Sequence, residues 1–234
     1  MGIDAVIFDW GGTLTRWHDV DFHAESLALA QAVRGAGEED HPVNAARLHE
    51  AGSIVWGRSR DHQRSATIAD LSAEAGLDHE PALLDAYYEF WLPHTETDAE
   101  VAPLWRALRA DGVKVGVLSN TLWPREWHRG FFARDGVEAL IDGDVYTSEV
   151  PWTKPSAVAF GAAMDAVGVT DPARCVFVGD RLYDDIWGAH QVGMRTIHVP
   201  HSTVPHEQVG PIEGEPDAVA ERLLDVRTIV RSWA

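Results

Sequence analysis

Short apolar runs bounded by polar or turn-forming residues recur along the chain and predict buried strands. The first is AVIF at residues 5–8, which lies between Asp4 and Asp9 and is followed by two glycines, as in a strand that ends in a tight turn. Similar runs are VKVGVL at 113–118 and CVFVG at 175–179, and a weaker run, RTIHV at 195–199, ends before Pro200. We therefore expect four strands along the chain.

Between these runs, apolar residues recur at the spacing of three and four positions that is typical of amphipathic helices. Because strands alternate with helices, the pattern predicts an α/β protein with a doubly wound parallel sheet, that is, a Rossmann-like core. The helical stripes are Val101/Leu104/Trp105/Leu108, with Pro103 in the first turn, Phe160/Met164/Val167 and Ile186/Ala189/Gly193.

The spacing of the strands is interrupted once. The first and second predicted strands are about 105 residues apart, whereas a strand–helix–strand unit takes roughly 30 residues. We therefore expect residues 16–93 to form a small helical domain, inserted into a core made of residues 1–15 and 94–234, with a last helix at about 217–231. The segment contains no convincing strand, and its helical stripes are Phe22/Leu29/Val33, Leu48/Ala51/Val55, Ile68/Leu71/Ala75 and Leu84/Tyr87/Tyr88/Trp91.

The charge of the chain narrows the range of partners. There are 37 acidic against 19 basic residues, which gives a formal net charge of −18. A surface this negative repels nucleic acids and anionic membranes, so neither is an expected partner.

The one cysteine, Cys175, excludes an internal disulfide framework and a four-cysteine zinc site. No long apolar stretch and no basic leader is present, so we expect a soluble, cytoplasmic protein, whose oligomeric state the sequence does not indicate.

Polar side chains follow the apolar runs at the points where ligands bind in open parallel sheets, outside the carboxyl ends of the strands. Several carboxylates that meet there would repel one another without a cation, and hard oxygen ligands suit Mg²⁺. A lysine and a hydroxyl beside such a metal would neutralise and hydrogen-bond a phosphoryl group. The residues in question are Asp9, Ser119, Asn120, Lys154, Asp180, Asp184 and Asp185.

Lys154 stands out because only it and Lys114 are lysine among the basic residues, all others being arginine. A compact ammonium group fits a site in which a planar guanidinium would not. Lys114 falls within or at the edge of a predicted strand and has no expected role.

At these positions the chain resembles the haloacid dehalogenase superfamily of hydrolases, most of which are phosphatases. Four matching pieces occur in the family's order, and together the resemblance covers the whole chain. The insert after the first strand is similar in position to the family's helical cap. The pieces are FDWGGTL at 8–14, VLSN at 117–120, KP at 154–155, and VGD at 178–180 followed by DDIWGA at 184–189.

The resemblance implies catalytic and phosphate-binding roles. Asp9 would be the nucleophile that forms an aspartyl phosphate, Ser119 would hydrogen-bond the phosphoryl oxygens, and Lys154 would neutralise both nucleophile and phosphoryl group. The substrate would be a small phosphorylated metabolite. Backbone N–H groups of Trp10, Gly11 and Asn120 would complete the phosphate cradle.

The resemblance also implies a Mg²⁺ site. Asp9, Asp180 and the backbone carbonyl of Gly11 would bind the ion. Asp184 and Asp185 would orient its ligands, and either could bind directly or through water.

One position departs from the family pattern. Two residues after the nucleophile, the family usually has a second aspartate that acts as general acid and base, and here this position is Gly11. A backbone carbonyl can still contact a metal, but the proton transfer has no donor there. His18 or Asp19, just beyond the turn, are candidates for a substitute acid, and Trp10 and Trp17 are candidate pocket walls.

Two alternatives stay open beside the phosphatase. A dehalogenase-type hydrolase would use Asp9 to attack a carbon–halogen centre and would need no metal, which leaves the acidic pattern around Asp180 unexplained. A catalytically weak binding or regulatory protein on the same scaffold is favoured by Gly11. The retention of Asp9, Ser119, Lys154 and Asp180 argues against it.

Overall fold

The computed structural model describes residues 2–16, 20–201, 210–212 and 214–233. The described chain contains one six-stranded sheet with the strand order β3-β2-β1-β4-β5-β6, in which all neighbouring strands are parallel. The strands are β1 Ala5–Phe8, β2 Lys114–Ser119, β3 Gly143–Tyr146, β4 Cys175–Gly179, β5 Arg195–His198 and β6 Ala218–Val219. The predicted α/β class and doubly wound parallel sheet are confirmed.

The described residues also contain nine α-helices. They are α1 Phe22–Gln31, α2 His41–His62, α3 Ile68–Glu74, α4 Pro81–Trp91, α5 Val101–Ala110, α6 Arg125–Arg134, α7 Ala157–Ala166, α8 Gly188–Gln191 and α9 Asp225–Ser232. A π-helical turn, Leu182–Trp187, leads directly into α8, and short 3₁₀ turns occupy Leu92–His94, Glu138–Leu140, Thr147–Glu149 and Pro172–Arg174.

The central strands form where the apolar runs predicted them. Every residue of β1 and β4 is buried, as expected for strands covered on both faces. The stripe of α5 is also confirmed, since Val101, Leu104, Trp105 and Leu108 are all buried.

Strand β3 was not predicted, because a charged residue interrupts its apolar pattern. Asp144 is buried in the middle of this four-residue strand. Arg129 binds its carboxylate with two hydrogen bonds of 3.0 Å, and Arg125 pairs with it as well. Because the two arginines compensate its charge, the carboxylate can be buried at a strand position that is usually apolar.

The start of the C-terminal helix differs from the prediction, which is wrong at this end. The helix expected at about 217–231 begins only at Asp225, and Ala218–Val219 instead pairs with β5 as the edge strand. A two-residue strand is too short to show a periodicity of its own.

The four helices α1–α4 lie between β1 and α5 in sequence, where the helical insert was expected. Side-chain caps mark two of their starts: Asp21 accepts hydrogen bonds from two backbone N–H groups of α1, and Thr67 and Asp70 form a reciprocal capping box on α3. The predictions for Trp17, His18 and Asp19 fall outside the described residues. No helix in the described ranges is long and apolar enough to cross a membrane.

Candidate active site

The three central strands bring three predicted site residues to one edge of the sheet. Asp9 follows β1, Ser119 is the last residue of β2, and Asp180 follows β4. Because β2, β1 and β4 are adjacent and parallel, their carboxyl ends lie side by side. All three residues are buried.

Lys154 links the carboxylates of this edge. Its Nζ donates hydrogen bonds to Asp9 Oδ1 at 2.5 Å and to Asp185 Oδ1 at 2.7 Å, and its side chain is 2% exposed. Burial alone would lower the pKa of the Lys154 ammonium, but the charges of Asp185 and Asp9 outweigh it and raise the pKa above its usual value. Lys154 is therefore charged at all physiological pH values. By contrast, Lys114 donates to the carbonyl of Val167 at 2.7 Å, away from the site.

Asn120 holds the backbone of Lys154. Its Oδ1 accepts a hydrogen bond from the Lys154 N–H at 2.8 Å, and its Nδ2 donates to the Lys154 carbonyl at 3.1 Å. The sequence singled out Asn120 for its backbone N–H, and the structure adds this role for its side chain, which joins the end of β2 to the segment before α7.

The carboxylates of Asp9, Asp180 and Asp185 form a buried acidic group, in which one oxygen of each lies within 4.8 Å of the others. Burial, and then repulsion from the neighbouring carboxylates, raises the pKa of Asp180 well above its usual range. Burial likewise raises the pKa of Asp9, although Lys154 opposes the shift. Both carboxylate oxygens of Asp180 are buried without a hydrogen-bond partner among the described residues.

This arrangement fits a divalent cation. Two cationic groups, the Lys154 ammonium and the Arg181 guanidinium, face four carboxylates, those of Asp9, Asp180, Asp184 and Asp185. Buried carboxylates in excess of their cations are costly unless a further cation or a proton compensates them. Oxygen ligands from carboxylates suit Mg²⁺. The donor set therefore agrees with the ion expected from the sequence.

The two adjacent aspartates, Asp184 and Asp185, lie in different surroundings. Asp185 is fully buried and belongs to the acidic group, while Asp184 lies farther out, 3.6 Å from Arg181 Nη1, at the wall of the adjacent cavity. The close approach of Asp185 to the sheet explains Gly179, because a Cβ there would lie 2.5 Å from the Asp185 Cβ.

Two contacts of the acidic group come from residues to which the sequence assigned no role. Thr13 Oγ1 donates to Asp9 Oδ2 at 3.3 Å, and the Arg181 N–H donates to Asp185 Oδ2 at 3.0 Å. Their closeness in sequence to Asp9 and Asp180 is the only signal that could have indicated them.

The turn after β1 has two glycines with different requirements. Gly12 has a φ of +92°, which favours glycine. Gly11 has no positive φ, and a Cβ placed there would have no atom within 4 Å. Trp10, just before them, lies edge-on against Trp123 and His128 with ring-centroid distances of 5.5 and 4.7 Å.

A cavity of about 630 Å³ opens from this edge of the sheet toward α1–α4. Seven predicted site residues line it: Asp9, Trp10, Gly11, Ser119, Asn120, Lys154 and Asp184. On the opposite side its walls come from α1, α2, α3 and α4, with largely apolar and aromatic side chains: Phe22, Leu29, Leu48, Trp56, Leu71, Tyr87 and Trp91. This shape, apolar with convergent polar groups at one end, is typical of a small-molecule site.

Comparison with known proteins identifies the class to which this fold and site belong. The sequence pattern of the haloacid dehalogenase-like hydrolases matches residues 3–193, so the chain belongs to this family and is a hydrolase. The resemblance seen in the sequence is thereby confirmed.

Individual relatives extend over the whole chain. A glyceraldehyde 3-phosphate phosphatase from Methanopyrus kandleri is 27% identical over 236 residues, which cover 99% of both chains. A haloacid dehalogenase-family phosphatase from Thermococcus onnurineus has a similar fold, with a TM-score of 0.66 and 23% identity over 97% of this chain and 98% of that chain. An L-2-haloacid dehalogenase from Xanthobacter autotrophicus, bound covalently to chloropropionic acid, has a TM-score of 0.67 and 20% identity over 99% and 100% of the two chains.

Proposed function

We propose that this protein is a Mg²⁺-dependent phosphatase that hydrolyses a small phosphorylated metabolite through an aspartyl phosphate on Asp9. The observation that carries the proposal is the acidic group itself. Asp9 is bound to Lys154 on one side, and Asp180, whose carboxylate oxygens have no partner among the described residues, lies on the other. A nucleophilic carboxylate beside a lysine and a cation-binding carboxylate is suited to an anionic substrate.

In the first step, a carboxylate oxygen of Asp9 attacks phosphorus, and the bond from phosphorus to the leaving oxygen breaks. The electron pair stays on the leaving oxygen, which takes up a proton from solvent water because Gly11 supplies none. Lys154 and Ser119 hold the phosphoryl oxygens throughout. In the second step, the oxygen of a water molecule attacks phosphorus and the bond from phosphorus to the Asp9 oxygen breaks. The electron pair of that bond restores the Asp9 carboxylate, the water loses a proton to solvent, and inorganic phosphate is released.

A bound Mg²⁺ would offset the negative charge of the phosphoryl group beside the acidic residues. Asp9, Asp180, Asp185 and the carbonyl of Gly11 are the ligands we propose, with Asp184 farther out. The buried, partnerless oxygens of Asp180 support this set.

We further propose that residues 16–93 act as a cap over a core made of residues 1–15 and 94–234. Residues from both parts line the same cavity, so a substrate in it would contact Asp9 at one end and α1–α4 at the other. A phosphatase relative over the full length, the enzyme of Methanopyrus kandleri, supports a small phosphorylated substrate.

The dehalogenase alternative is favoured by one observation, Gly11 in place of the usual acid. A carboxylate that attacks a carbon–halogen bond has no use for a cation, however, and Asp180 then has no function. Removal of metal separates these possibilities, because only the phosphatase loses its activity in a chelator. A binding protein without catalysis would turn over no substrate of either kind.

The test is a screen for phosphate release from a set of phosphorylated metabolites, with Mg²⁺ and with EDTA. Asp9→Asn should abolish release, because an amide is not a nucleophile, while the circular dichroism spectrum stays unchanged. The matched control is Asp165→Asn, an exposed aspartate on α7, which should keep full activity. Activity of Asp9→Asn within tenfold of the unaltered protein would contradict the proposal.

A further inference from the structure

Glu25 is an acidic residue of the cavity wall that lies outside the acidic group. It is on α1, and its Oε1 accepts a hydrogen bond from Trp91 Nε1 at 2.7 Å, while the Tyr87 side chain also hydrogen-bonds to it. Burial raises the pKa of the Glu25 carboxyl, and these two bonds oppose the shift by favouring the anion. The protein thus holds an oriented carboxylate on the side of the cavity that α1–α4 form.

Among the residues that the structure describes, this carboxylate differs from the other charged groups of the cavity in having no counterion. Arg16, Arg60 and Arg181 line the same space, and each lies beside an aspartate of its own: Asp98 at 3.0 Å, Asp61 at 2.7 Å and Asp184 at 3.6 Å. In the ranges that the structure describes, no side-chain nitrogen of lysine, arginine or histidine pairs with Glu25. A half-buried carboxylate without a cation leaves a negative charge for a ligand to neutralise.

Aromatic rings surround this charge and continue to the nucleophile. Trp91 is central: its ring centroid lies 6.2 Å from that of Phe22, 6.4 Å from that of Tyr87 and 5.5 Å from that of Trp123. Trp123 in turn lies 5.5 Å from Trp10, the residue after Asp9. We call these five rings, Phe22, Tyr87, Trp91, Trp123 and Trp10, the aromatic wall.

We propose that the cavity binds a phosphate monoester whose organic half carries an ammonium group, with the cation held by Glu25 and the aromatic wall. Aromatic faces combined with a carboxylate are the surroundings that bind alkylammonium and quaternary ammonium ions, because ring quadrupoles attract the cation without the hydration that a polar site would need. Its phosphate would lie at Asp9, Ser119 and Lys154. A neutral polyol phosphate would bury the charge of Glu25 without compensating it. This inference rests on the proposed phosphatase function and adds the substrate class.

The first experiment compares two substrates of equal shape on the unaltered protein. One is choline phosphate, and the other is its neutral analogue, in which a tert-butyl group replaces the trimethylammonium group. We expect kcat/KM to favour choline phosphate by about tenfold or more, the range of a partly desolvated cation–π and ion-pair interaction. Equal values for the two substrates, or a clear preference for glyceraldehyde 3-phosphate over choline phosphate, would overturn the inference.

Variants locate the effect. Glu25→Gln should remove most of the preference for the charged substrate, and Trp91→Leu should weaken it through the loss of both a ring and a hydrogen-bond donor. The matched control is Glu89→Gln, an exposed glutamate on α4, which should leave the preference unchanged. A preference that survives Glu25→Gln would place the cation elsewhere.

Binding without catalysis distinguishes a failure of this inference from a failure of the proposed function. Choline chloride, which has no phosphate, is titrated into the protein while tryptophan fluorescence and heat are recorded. The neutral alcohol in which a tert-butyl group replaces the trimethylammonium group of choline is titrated in parallel. If choline binds and its analogue does not, the cation site stands even where no phosphate ester is hydrolysed. If phosphate esters are hydrolysed but choline does not bind, the phosphatase stands and the cation site is wrong.

Discussion

The side chain of Asn120 forms two hydrogen bonds with the backbone of Lys154: Oδ1 accepts from the Lys154 N–H at 2.8 Å, and Nδ2 donates to the Lys154 carbonyl at 3.1 Å. These bonds fix the main chain from which the Lys154 ammonium reaches Asp9. We expect Asn120→Asp to lose the donated bond and to place two oxygens against each other, which would displace Lys154. Because small displacements of reacting groups are costly, kcat should fall by about 10²-fold.

The control for this variant is the other asparagine of the chain. Asn44 lies near the start of α2 and does not line the cavity, so Asn44→Asp should keep kcat within a factor of two or so, given that an acid in the first helical turns is tolerated. Both variants are measured by steady-state kinetics, with thermal melting as a check on folding. An unchanged kcat in Asn120→Asp would show that the two hydrogen bonds of Asn120 do not position Lys154.

The Asp180 carboxylate, which has no hydrogen-bond partner among the described residues, predicts that metal stabilises the protein. Mg²⁺ at millimolar concentration should raise the Tm, because an ion that binds only the folded state stabilises it by mass action. Asp180→Asn should abolish this rise, since it removes one charged ligand of the acidic group. In EDTA, the same variant should melt at or above the temperature of the unaltered protein, because the repulsion between Asp180 and the carboxylates of Asp9 and Asp185 is gone.

Differential scanning calorimetry with and without Mg²⁺ measures both effects. Asp165→Asn is again the control and should keep the full shift. A Tm of the unaltered protein that does not respond to Mg²⁺ would favour the dehalogenase or the binding protein.

His128 predicts a loss of stability in mild acid. Burial lowers the pKa of its imidazole to about 3 in the folded protein, where the ring stacks on Tyr146 at 4.3 Å and bonds to Thr121 Oγ1 at 3.2 Å. The unfolded chain binds a proton near the ordinary pKa of about 6.5, so it gains protons first as the pH falls. The stability due to neutral His128 is therefore complete above about pH 6.5 and is lost progressively toward pH 3.

The size of this effect is about 2 kcal/mol of unfolding free energy between pH 8 and pH 5. Urea unfolding at the two pH values measures it. His128→Gln, which does not titrate and can still bond to Thr121, should show a pH dependence smaller by that amount. Exposed His23 provides the control, and if His23→Gln and His128→Gln behave alike, the buried imidazole is not the source.

How far the site could be predicted depends on which residues the backbone topology alone brings together. Asp9, Ser119 and Asp180 each follow or end a strand, and the convergence of parallel strands places them without knowledge of any side-chain packing. The same logic could not find Glu25. It lies on α1 in a segment whose local pattern shows only a helix, and only the packing of α1 against α4 brings it beside Trp91.

The errors in the fold prediction have a similar origin. The apolar runs marked β1, β2, β4 and β5, where burial on both faces leaves a local record in the sequence. Strand β3 was hidden by Asp144, whose charge is compensated by Arg125 and Arg129 from the next helix back along the chain. That compensation is tertiary, so no window of neighbouring residues shows it.

Gly11 occupies the position at which the family usually has the aspartate that acts as general acid and base. General acid–base catalysis is worth roughly 10²–10⁴-fold in rate, and a leaving group needs the proton most when its conjugate acid is weak. Alkyl phosphates should therefore be hydrolysed slowly, whereas the hydrolysis of aryl and acyl phosphates should be slowed much less. The aspartyl phosphate should accumulate. The turn accepts a side chain, because Gly11 has no positive φ and its Cβ position is open. Gly11→Asp should thus raise kcat on alkyl phosphates more than on p-nitrophenyl phosphate.

Gly11→Asn is the matched control, since it adds the same bulk without a proton to transfer, and it should raise neither rate. Rapid quenching of the unaltered protein during turnover measures the phosphorylated fraction directly. Fast turnover of an alkyl phosphate by the unaltered protein, with a bell-shaped pH profile, would mean that another residue supplies the proton. His18 and Asp19 would then be the first positions to replace, because they follow the turn that carries Gly11 in the sequence. In that case Gly11→Asp would introduce a second acid beside one already in place, and its effect on alkyl phosphates should vanish.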